Sequence, residues 1–300
     1  MNRATCDSRL DKLTQEIGVK FKSCRSASQN SKPVYDLANA GPRRRFTIQT
    51  DSGFLIVHNC ELAFGYQGGV GAARKFLPAS MADTPDATLN AWKIAWRRAH
   101  PAIAGVEKVS QSSGRTYWQG GLWRDIEDAA IMAVQNPGEA YAAGFPGRGV
   151  TFKKAGSFLW CQLPSKRVTC YPYPKLLPGM YQRDQLTYMC VPGENDKGKI
   201  IADVKNANNW ARIATYGGSL TENIVQALCR DLLVDTMLTL HDKGAQIVLH
   251  VHDEVVIETS EAGAEAARAA MQNIMRQPRE WAKDFPLWAE CNVMTRYGKG

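Results

Sequence analysis

The chain has 300 residues, a formal net charge of +8 and an apolar fraction of 44%, values that suggest about two domains with a sizeable core. No run of 18 or more apolar residues occurs, and the N-terminus lacks a hydrophobic signal region, so we expect a soluble, unsecreted, cytoplasmic protein with no membrane partner. The eight cysteines form no CxxC pair. We therefore interpret them as reduced thiols and exclude a disulfide framework.

The positive charge is unevenly distributed. Residues 1–59 carry ten Lys or Arg and five Asp or Glu, so they hold +5 of the total, and the rest of the chain holds +3. A basic balance is typical of proteins that bind nucleic acid. Because most of the excess lies near the N-terminus, global charge supports DNA binding only weakly.

The N-terminal part is predicted to be a short all-β segment. Residues 1–30 are polar and weakly patterned, so we expect them to be poorly structured. Between residues 31 and 60, short apolar runs alternate with turn residues, which predicts two or three strands. These runs are Val34–Leu37, Phe46–Gln49 and Phe54–Val57.

The tripeptide that ends this segment has residues suited to self-cleavage. The Asn59 amide can attack its own backbone carbonyl, His58 can act as general acid, and the Cys60 thiol can accept an acyl chain. Together with the upstream strands, the tripeptide resembles the C-terminal end of an intein, the Hint-fold protein-splicing element. The splicing residues implied by the resemblance are His58, Asn59, Cys60 and Asp36.

The intein resemblance is incomplete. Neither the N-terminal Cys or Ser nucleophile nor the Thr-x-x-His block of inteins can be placed in residues 1–59, and Arg44 stands where many inteins have a His. The segment is also too short for a complete Hint domain. The resemblance therefore implies a C-terminal half whose partner is an upstream fragment carrying the rest of the intein.

A glycine-rich stretch follows at 65–71. Its spacing fits neither the P-loop nor the Rossmann pattern, so we reject both nucleotide fingerprints. It resembles the end of the fingers-helix motif of phage family A DNA polymerases, in which a Lys precedes a Tyr by eight residues; counting back eight from Tyr66 gives His58. The resemblance implies that Tyr66 closes over the nascent base pair and that an upstream fragment supplies the Lys. A core tyrosine is the alternative.

Two helices are predicted between residues 90 and 134. The first spans 90–104, with Trp92 and Trp96 one turn apart, and we interpret both rings as core residues. The second spans 127–134 and is ended by the Asn-Pro-Gly sequence that follows it.

Residues 157–167 predict a strand, a turn and the start of a second strand. The turn, Leu163-Pro164-Ser165-Lys166-Arg167, resembles a turn of phage family A polymerases that has Gly in place of Lys166. The resemblance implies that Arg167 helps to bind DNA or the nucleoside triphosphate.

A long helix is predicted next. Ser219-Leu220-Thr221-Glu222 has the spacing of a capping box, and no Gly or Pro occurs from Asn223 to His241, before Lys243-Gly244. Apolar residues cover more than one face, so we expect most of this helix to be buried.

The run 247–257 predicts two β-branched strands joined by a turn. Asp253 and Glu254 would lie at the tip, where adjacent carboxylates repel each other unless a cation compensates. Mg²⁺ is commonly held by one or two carboxylates together with substrate phosphates. A solvated hairpin turn is the alternative.

The stretch 221–226, followed by His252-Asp253-Glu254, resembles the last two motifs of family A DNA polymerases, the DNA polymerase I-like group. The resemblance extends from Glu61 to the C-terminus and implies an α+β fold. Mostly helical fingers and connecting segments would occupy 60–218, and a palm with an antiparallel sheet would occupy 219–300, including a final strand over 286–297. The Hint-type fragment, 1–59, would precede them.

The polymerase resemblance also implies a reaction and its residues. The reaction is template-directed nucleotidyl transfer by two Mg²⁺ ions, with primer-template DNA and dNTP as partners. The implied catalytic residues are Asp253, Glu254 and His252, the first two as metal ligands. The implied DNA or substrate contacts are Tyr66, Gln226, Asn223, Arg230 and Arg167.

Such a site needs a second aspartate, usually in an Asp-Tyr-Ser-x-Ile-Glu setting, and no such segment occurs in the sequence. We therefore predict that the chain, a phage or prophage protein in a bacterial host, does not polymerise alone. Activity would require splicing to, or assembly with, an upstream fragment. Two alternatives stay open: a catalytically inactive DNA-binding remnant, and a Hint autoprocessing protein with polymerase-like cargo.

Overall fold

A computed structural model describes residues 62–77, 81–145, 147–179, 183–203 and 209–297, together with four short strands nearer the N-terminus. These strands are β1 (Phe21–Cys24), β2 (Val34–Leu37), β3 (Thr47–Thr50) and β4 (Gly53–Ile56). β1 pairs antiparallel with β2, and β3 pairs antiparallel with β4. The three predicted strands are thus confirmed.

Strand β1 lies within residues 1–30, the segment predicted to be poorly structured, and the other residues of that segment lie outside the described part of the chain. Phe21 pairs with Leu37 and Cys24 with Val34, so the hydrogen-bond partner of this strand lies in a later part of the sequence. A local pattern of polar and apolar residues carries no information about such a partner.

The chain divides into two compact units, Met1–His100 and Pro101–Gly300. This division lies away from the predicted boundaries at 59 and 218, and the intein, fingers and palm assignments stay predictions. The first unit contains α1 (Val70–Phe76) and α2 (Asp86–Ala99). Within α2, Trp96 is buried, as predicted, and its ring stacks on that of His100 with 4.2 Å between centroids.

The second unit begins with a short helix, a hairpin and a longer helix. Pro101 starts a separate four-residue helix, α3 (Pro101–Ala104), so the predicted helix over 90–104 is two helices, because proline cannot continue the first. Strands β5 (Val106–Val109) and β6 (Thr116–Gln119) pair antiparallel. Helix α4 (Leu122–Gln135) confirms the second predicted helix.

Two four-stranded antiparallel sheets follow. The first has the order β10-β9-β8-β7, and the second has the order β11-β12-β14-β13. The strands are β7 (Ala140–Ala143), β8 (Val150–Ala155), β9 (Phe158–Gln162), β10 (Val168–Pro172), β11 (Lys175–Pro178), β12 (Asp184–Cys190), β13 (Ile200–Asp203) and β14 (Ala211–Ala214). The fingers assignment within 60–218 stays a prediction. Strand β9 confirms the strand predicted at the start of 157–167, and the predicted turn leads into β10.

The last elements are α5 (Gly217–Asp242), the hairpin β15 (Gln246–Val251) and β16 (Glu254–Glu258), and α6 (Ala264–Arg276). The described residues therefore form a mixed structure of helices and antiparallel sheets, as the α+β prediction requires. No helix in the described part of the chain is long and apolar enough to cross a membrane.

Helix α5 begins earlier than the capping-box pattern predicts, because its first residue contacts α4. A Cβ at Gly217 would overlap the carbonyl oxygen of Trp123, and only glycine permits that approach. Ser219 therefore lies inside the first turn and caps nothing, while the Thr221 hydroxyl donates to the Gly217 carbonyl at 2.7 Å. The predicted end is confirmed, with Gly244 at a φ of +80° just beyond the helix.

The main core of the second unit lies between α4, α5 and the inner face of the sheet β7–β10. Along β9, Leu159 and Cys161 are buried, whereas Trp160 between them points outward. Leu220 and Ile224 of α5 pack into the same cluster. A second cluster joins the far end of α5 to the hairpin β15–β16 and to α6, so that α5 links the sheet to the hairpin.

Three ionisable groups of the main core are protonated in the folded protein at neutral pH, and we therefore expect the fold to lose stability at high pH. Burial raises the pKa of the Cys161 thiol to about 12 and that of Tyr188 to about 12, and it also raises the pKa of Tyr171. Unfolded, these groups release their protons at lower pH than in the fold. Their stabilisation is therefore complete below the unfolded-state pKa values and is lost as pH rises through the folded ones, by up to about 1.4 kcal/mol per pH unit for each group.

Urea unfolding between pH 8 and 11 checks this expectation. The free energy of unfolding should fall with rising pH, and Cys161→Ala should reduce the slope even if it also lowers stability at pH 8. The matched control is Ser157→Ala, which changes an exposed side chain with no ionisable group just before β9 and should leave the slope at the wild-type value. Equal slopes for the wild type and Cys161→Ala would contradict the assignment.

The segment 286–297, predicted as a final strand, contains no strand. Side chains of α6 hold it instead: the Arg276 guanidinium lies 3.6 Å from the centroid of the Trp288 ring, and its Nε donates to the Ala289 carbonyl at 2.8 Å. Gln272 donates to the same carbonyl at 3.3 Å. The carbonyl that a neighbouring strand would need is therefore bonded to side chains, a tertiary effect that the local sequence does not encode.

Candidate functional site

Three of the predicted DNA contacts share one exposed stripe of α5. Asn223, Gln226 and Arg230 are spaced by three and four residues, which places them on the same side of a helix, and all three are exposed. The Gln226 amide donates to Glu222 at 3.4 Å, and the Asn223 amide approaches the Tyr171 hydroxyl at 3.5 Å. These contacts are long, so both amides retain most of their capacity to bind another molecule.

The predicted hairpin is confirmed. Val251 pairs with Glu254, which leaves His252 and Asp253 as the two-residue turn. His252 has a φ of 52°, the left-handed conformation that tight hairpin turns use. His252, Asp253 and Glu254 are all exposed, with Glu254 as the first residue of β16 and not part of the turn itself.

The hairpin β15–β16 packs against α5, since Val255 shares a core cluster with Leu233 and Leu240. Burial, and after it the Asp253 carboxylate, raise the pKa of the Cys229 thiol of α5. Cys229 stands between Gln226 and Arg230 in the sequence and is itself exposed. The Asp253 carboxylate therefore acts electrostatically on α5 at Cys229, one residue before Arg230.

A residue that the sequence did not indicate also reaches the tip. The Tyr297 hydroxyl donates to Glu254 Oε2 at 2.9 Å, and this hydrogen bond to a carboxylate raises the pKa of Tyr297. The two residues lie far apart in the chain, and no local pattern signals the contact. The bond orients Glu254 and leaves its second oxygen accessible.

The hairpin tip offers part of a divalent-metal site. Asp253 and Glu254 supply the hard oxygen ligands that Mg²⁺ prefers, and both side chains are exposed. Among the residues that the structure describes, no group of three or more His, Cys, Asp or Glu is placed to hold a metal ion. The donors therefore fit Mg²⁺ in chemistry but fall short in number.

Arg167 is engaged within the protein. The turn that follows β9 packs on α5, where the Arg167 Nε and the Ser165 hydroxyl both donate to the buried Asp231 carboxylate. A second Arg167 nitrogen donates to the Ala227 carbonyl at 2.8 Å. This connection between turn and helix was not anticipated from the sequence. The predicted contact of Arg167 with DNA or triphosphate stays a prediction.

Lys166 in this turn adopts a φ of 71°, a left-handed conformation that costs a non-glycine residue about 1–2 kcal/mol. Replacing Lys166 by glycine would relieve this strain. Glycine also loses more backbone entropy on folding, which offsets roughly 0.5–1 kcal/mol of the relief. We therefore expect Lys166→Gly to stabilise the fold by roughly 0.5–1 kcal/mol, measured by urea unfolding. The control Lys154→Gly, inside β8, should destabilise it instead. A loss of stability in Lys166→Gly would contradict the strain argument.

Tyr66 lies in the first unit, in a turn before α1, and is half-buried. The Gln67 amide, at a φ of 65°, donates to the Phe64 carbonyl at 3.1 Å. A Cβ at Gly68 would overlap the Ala63 carbonyl, so this glycine allows a tight turn. The role of Tyr66 over the nascent base pair stays a prediction.

The splicing residues His58, Asn59 and Cys60 lie outside the described residues. Asp36 lies in β2, where it pairs with Lys22 of β1. The splicing assignment therefore stays a prediction.

Comparison with known proteins identifies a relative. No family model matches the chain, and no solved structure matches it. Over 240 residues, 80% of the chain, it is 35% identical to a DNA polymerase of Bacillus phage SP02. The chain spans only about a third of the length of that relative, 32%.

A continuous stretch of 240 residues in a chain of 300 includes residues 61–240 wherever it begins. The match therefore includes Tyr66, Arg167 and the exposed stripe of α5. The chain is related by sequence to a phage DNA polymerase over four fifths of its length.

Proposed function

We propose that the chain is the C-terminal portion of a DNA-directed DNA polymerase of family A. The observation that carries the proposal is that the hairpin bearing Asp253 packs on α5, the helix whose exposed stripe consists of Asn223, Gln226 and Arg230. The proposal assigns a carboxylate for a metal-dependent reaction to the hairpin and three side chains suited to nucleic acid to the helix. The relationship to a phage DNA polymerase supports the same reading.

Each of these side chains has a distinct role in nucleotidyl transfer. Asp253 and Glu254 would hold Mg²⁺, which would supply Lewis-acid stabilisation of charge on phosphate oxygens and lower the pKa of a hydroxyl. Tyr297 fixes one oxygen of Glu254 by its hydrogen bond. His252, in the turn, lies near the primer terminus.

The α5 stripe positions the primer-template. Gln226 and Asn223 donate hydrogen bonds to the minor-groove acceptors, which A·T and T·A base pairs share, so that they test pair geometry with little reading of sequence. Arg230 neutralises a backbone phosphate and fixes the register of the duplex.

The metal ligands need a partner. Asp253 and Glu254 provide an incomplete donor set, and we infer that the second catalytic aspartate comes from an upstream polymerase fragment. Removal of residues 1–59 by splicing at Asn59 and Cys60, or non-covalent assembly, brings the two fragments together. The same incomplete donor set favours a second candidate, a catalytically inactive DNA-binding remnant.

Intact mass after co-expression with the reading frame encoded just upstream tests the joining step. We expect the loss of residues 1–59 and a new product joined at Cys60. Asn59→Ala should block the release of residues 1–59, because its side chain lacks the attacking amide. An unchanged mass for the wild-type pair would contradict splicing, and primer extension by the mixed fragments would then decide between assembly and the inactive remnant.

A further inference from the structure

The outer face of the sheet β7–β10 carries a cluster of aromatic rings. Phe158 and Trp160 point outward from β9, with their ring centroids 5.2 Å apart, and Tyr173, just after β10, lies 6.4 Å from Phe158. Trp160 is 37% exposed and Tyr173 is 53% exposed. The inner face of the sheet is already filled by the core of the unit, so these rings are not needed to build it.

The segment that forms this sheet is strongly basic. Between Glu139 and Asp184 the sequence has no acidic residue and seven Lys or Arg. Three of the arginines reach carboxylates elsewhere: Arg148 pairs with Asp284, Arg167 with Asp231, and Arg183 with Asp128. The four lysines, Lys153, Lys154, Lys166 and Lys175, have no ion pair among the described residues.

One of these lysines belongs to the aromatic cluster. Lys153 is exposed on β8 and stands directly opposite Trp160 on β9. Residues opposite each other in adjacent strands have neighbouring side chains on the same face of the sheet. The outer face therefore offers rings for stacking and a cation for a phosphate at neighbouring positions.

We propose that this outer face, formed by Phe158, Trp160, Tyr173 and Lys153, is a binding site for single-stranded DNA. Unpaired bases present their faces for stacking on aromatic side chains, whereas the bases of a duplex are stacked on each other, and a positively charged surface follows the backbone. The site is separate from the residues of the hairpin tip. It does not depend on the polymerase reaction.

The charge of the segment decides between this occupant and a protein segment covering the face. An apolar protein partner would bury the aromatic rings but would leave Lys153 unpaired. A polyanion uses both the rings and this lysine, and the 44 residues without a carboxylate fit it well.

Fluorescence anisotropy of a labelled oligo(dT), titrated with the 300-residue chain, tests the site. We expect the double variant Trp160→Ala/Tyr173→Ala to bind roughly tenfold more weakly, since each lost stacking contact weakens binding severalfold or more. Lys153→Glu should weaken binding and reduce its salt dependence. The matched control is Tyr117→Ala, which removes an equally exposed ring from β6 and should bind like the wild type.

Thermal melts show whether each variant folds. If the double variant Trp160→Ala/Tyr173→Ala does not fold, the binding of Lys153→Glu still decides the test. Labelled duplex DNA should show a much smaller effect of the double variant. Wild-type affinity in both the double variant and Lys153→Glu, or no binding by the wild-type chain, would overturn the proposal.

Discussion

Asp253→Ala is expected to lower kcat for primer extension by the reconstituted polymerase by a factor of about 10³ or more. Metal-ion stabilisation of transition-state charge is worth several kcal/mol, and each 1.36 kcal/mol is about a factor of ten in rate. Asp253 is exposed at a hairpin tip, so removing its side chain breaks no core contact. The loss should therefore appear in the chemical step while the thermal melt stays unchanged.

The matched control for this variant lies in the same hairpin. Glu258→Ala removes an exposed carboxylate from the far end of β16 and should leave the rate within a small factor of wild type. Titration calorimetry of Mn²⁺ binding to the chain alone gives a measurement that is independent of activity. The affinity for Mn²⁺ should weaken in Asp253→Ala and not in Glu258→Ala. Undiminished primer extension by Asp253→Ala would refute the proposed role of the hairpin and favour the inactive remnant.

Arg167→Ala is expected to destabilise the second unit by about 2–3 kcal/mol. The variant leaves the Asp231 carboxylate buried with only the Ser165 hydroxyl as partner, and breaking a buried ion pair typically costs about 3–5 kcal/mol. The Arg167 side chain is 43% exposed and that of Asp231 only 9%. Solvent screening of the guanidinium lowers the expected value below that range.

Urea unfolding measures the effect, and a second variant tests its cause. Because the unpaired carboxylate is the main cost, Arg167→Ala/Asp231→Ala should lose less than the two single variants together. Arg268→Ala is the matched control, since it breaks an ion pair with Glu265 on the surface of α6 and should cost less than about 1 kcal/mol. If Arg167→Ala lowered the free energy of unfolding by as little as Arg268→Ala does, the argument from a buried ion pair would be contradicted.

Local sequence patterns predicted the elements whose causes are local. The end of α5 at Gly244, the turn between β9 and β10 and the hairpin at Asp253 follow from glycine, proline and β-branched residues close in sequence. The spacing of Asn223, Gln226 and Arg230 likewise places them on one face of a helix. These features depend on backbone preferences over a few residues.

Predictions failed where a distant partner decides the structure. The helix α5 starts at Gly217 because Trp123 packs against it. The segment 286–297 contains no strand, and the side chains of Arg276 and Gln272 on α6 bind the carbonyl of Ala289 within it. Strands β7 and β8 were not predicted, whereas β9 and the turn before β10 were.

By itself, then, the sequence determined the candidate residues, their chemistry and the local elements that carry them. It placed Asp253 and Glu254 on a hairpin and Gln226 on a helix, since those assignments depend on short-range periodicity. Only the tertiary structure decided that the Asp253 carboxylate acts electrostatically on Cys229 of α5, that Tyr297 holds Glu254, and that Asp231 binds the turn at Arg167. Such contacts join residues far apart in the chain, and their positions are set by how apolar faces pack together, which no short window of sequence records.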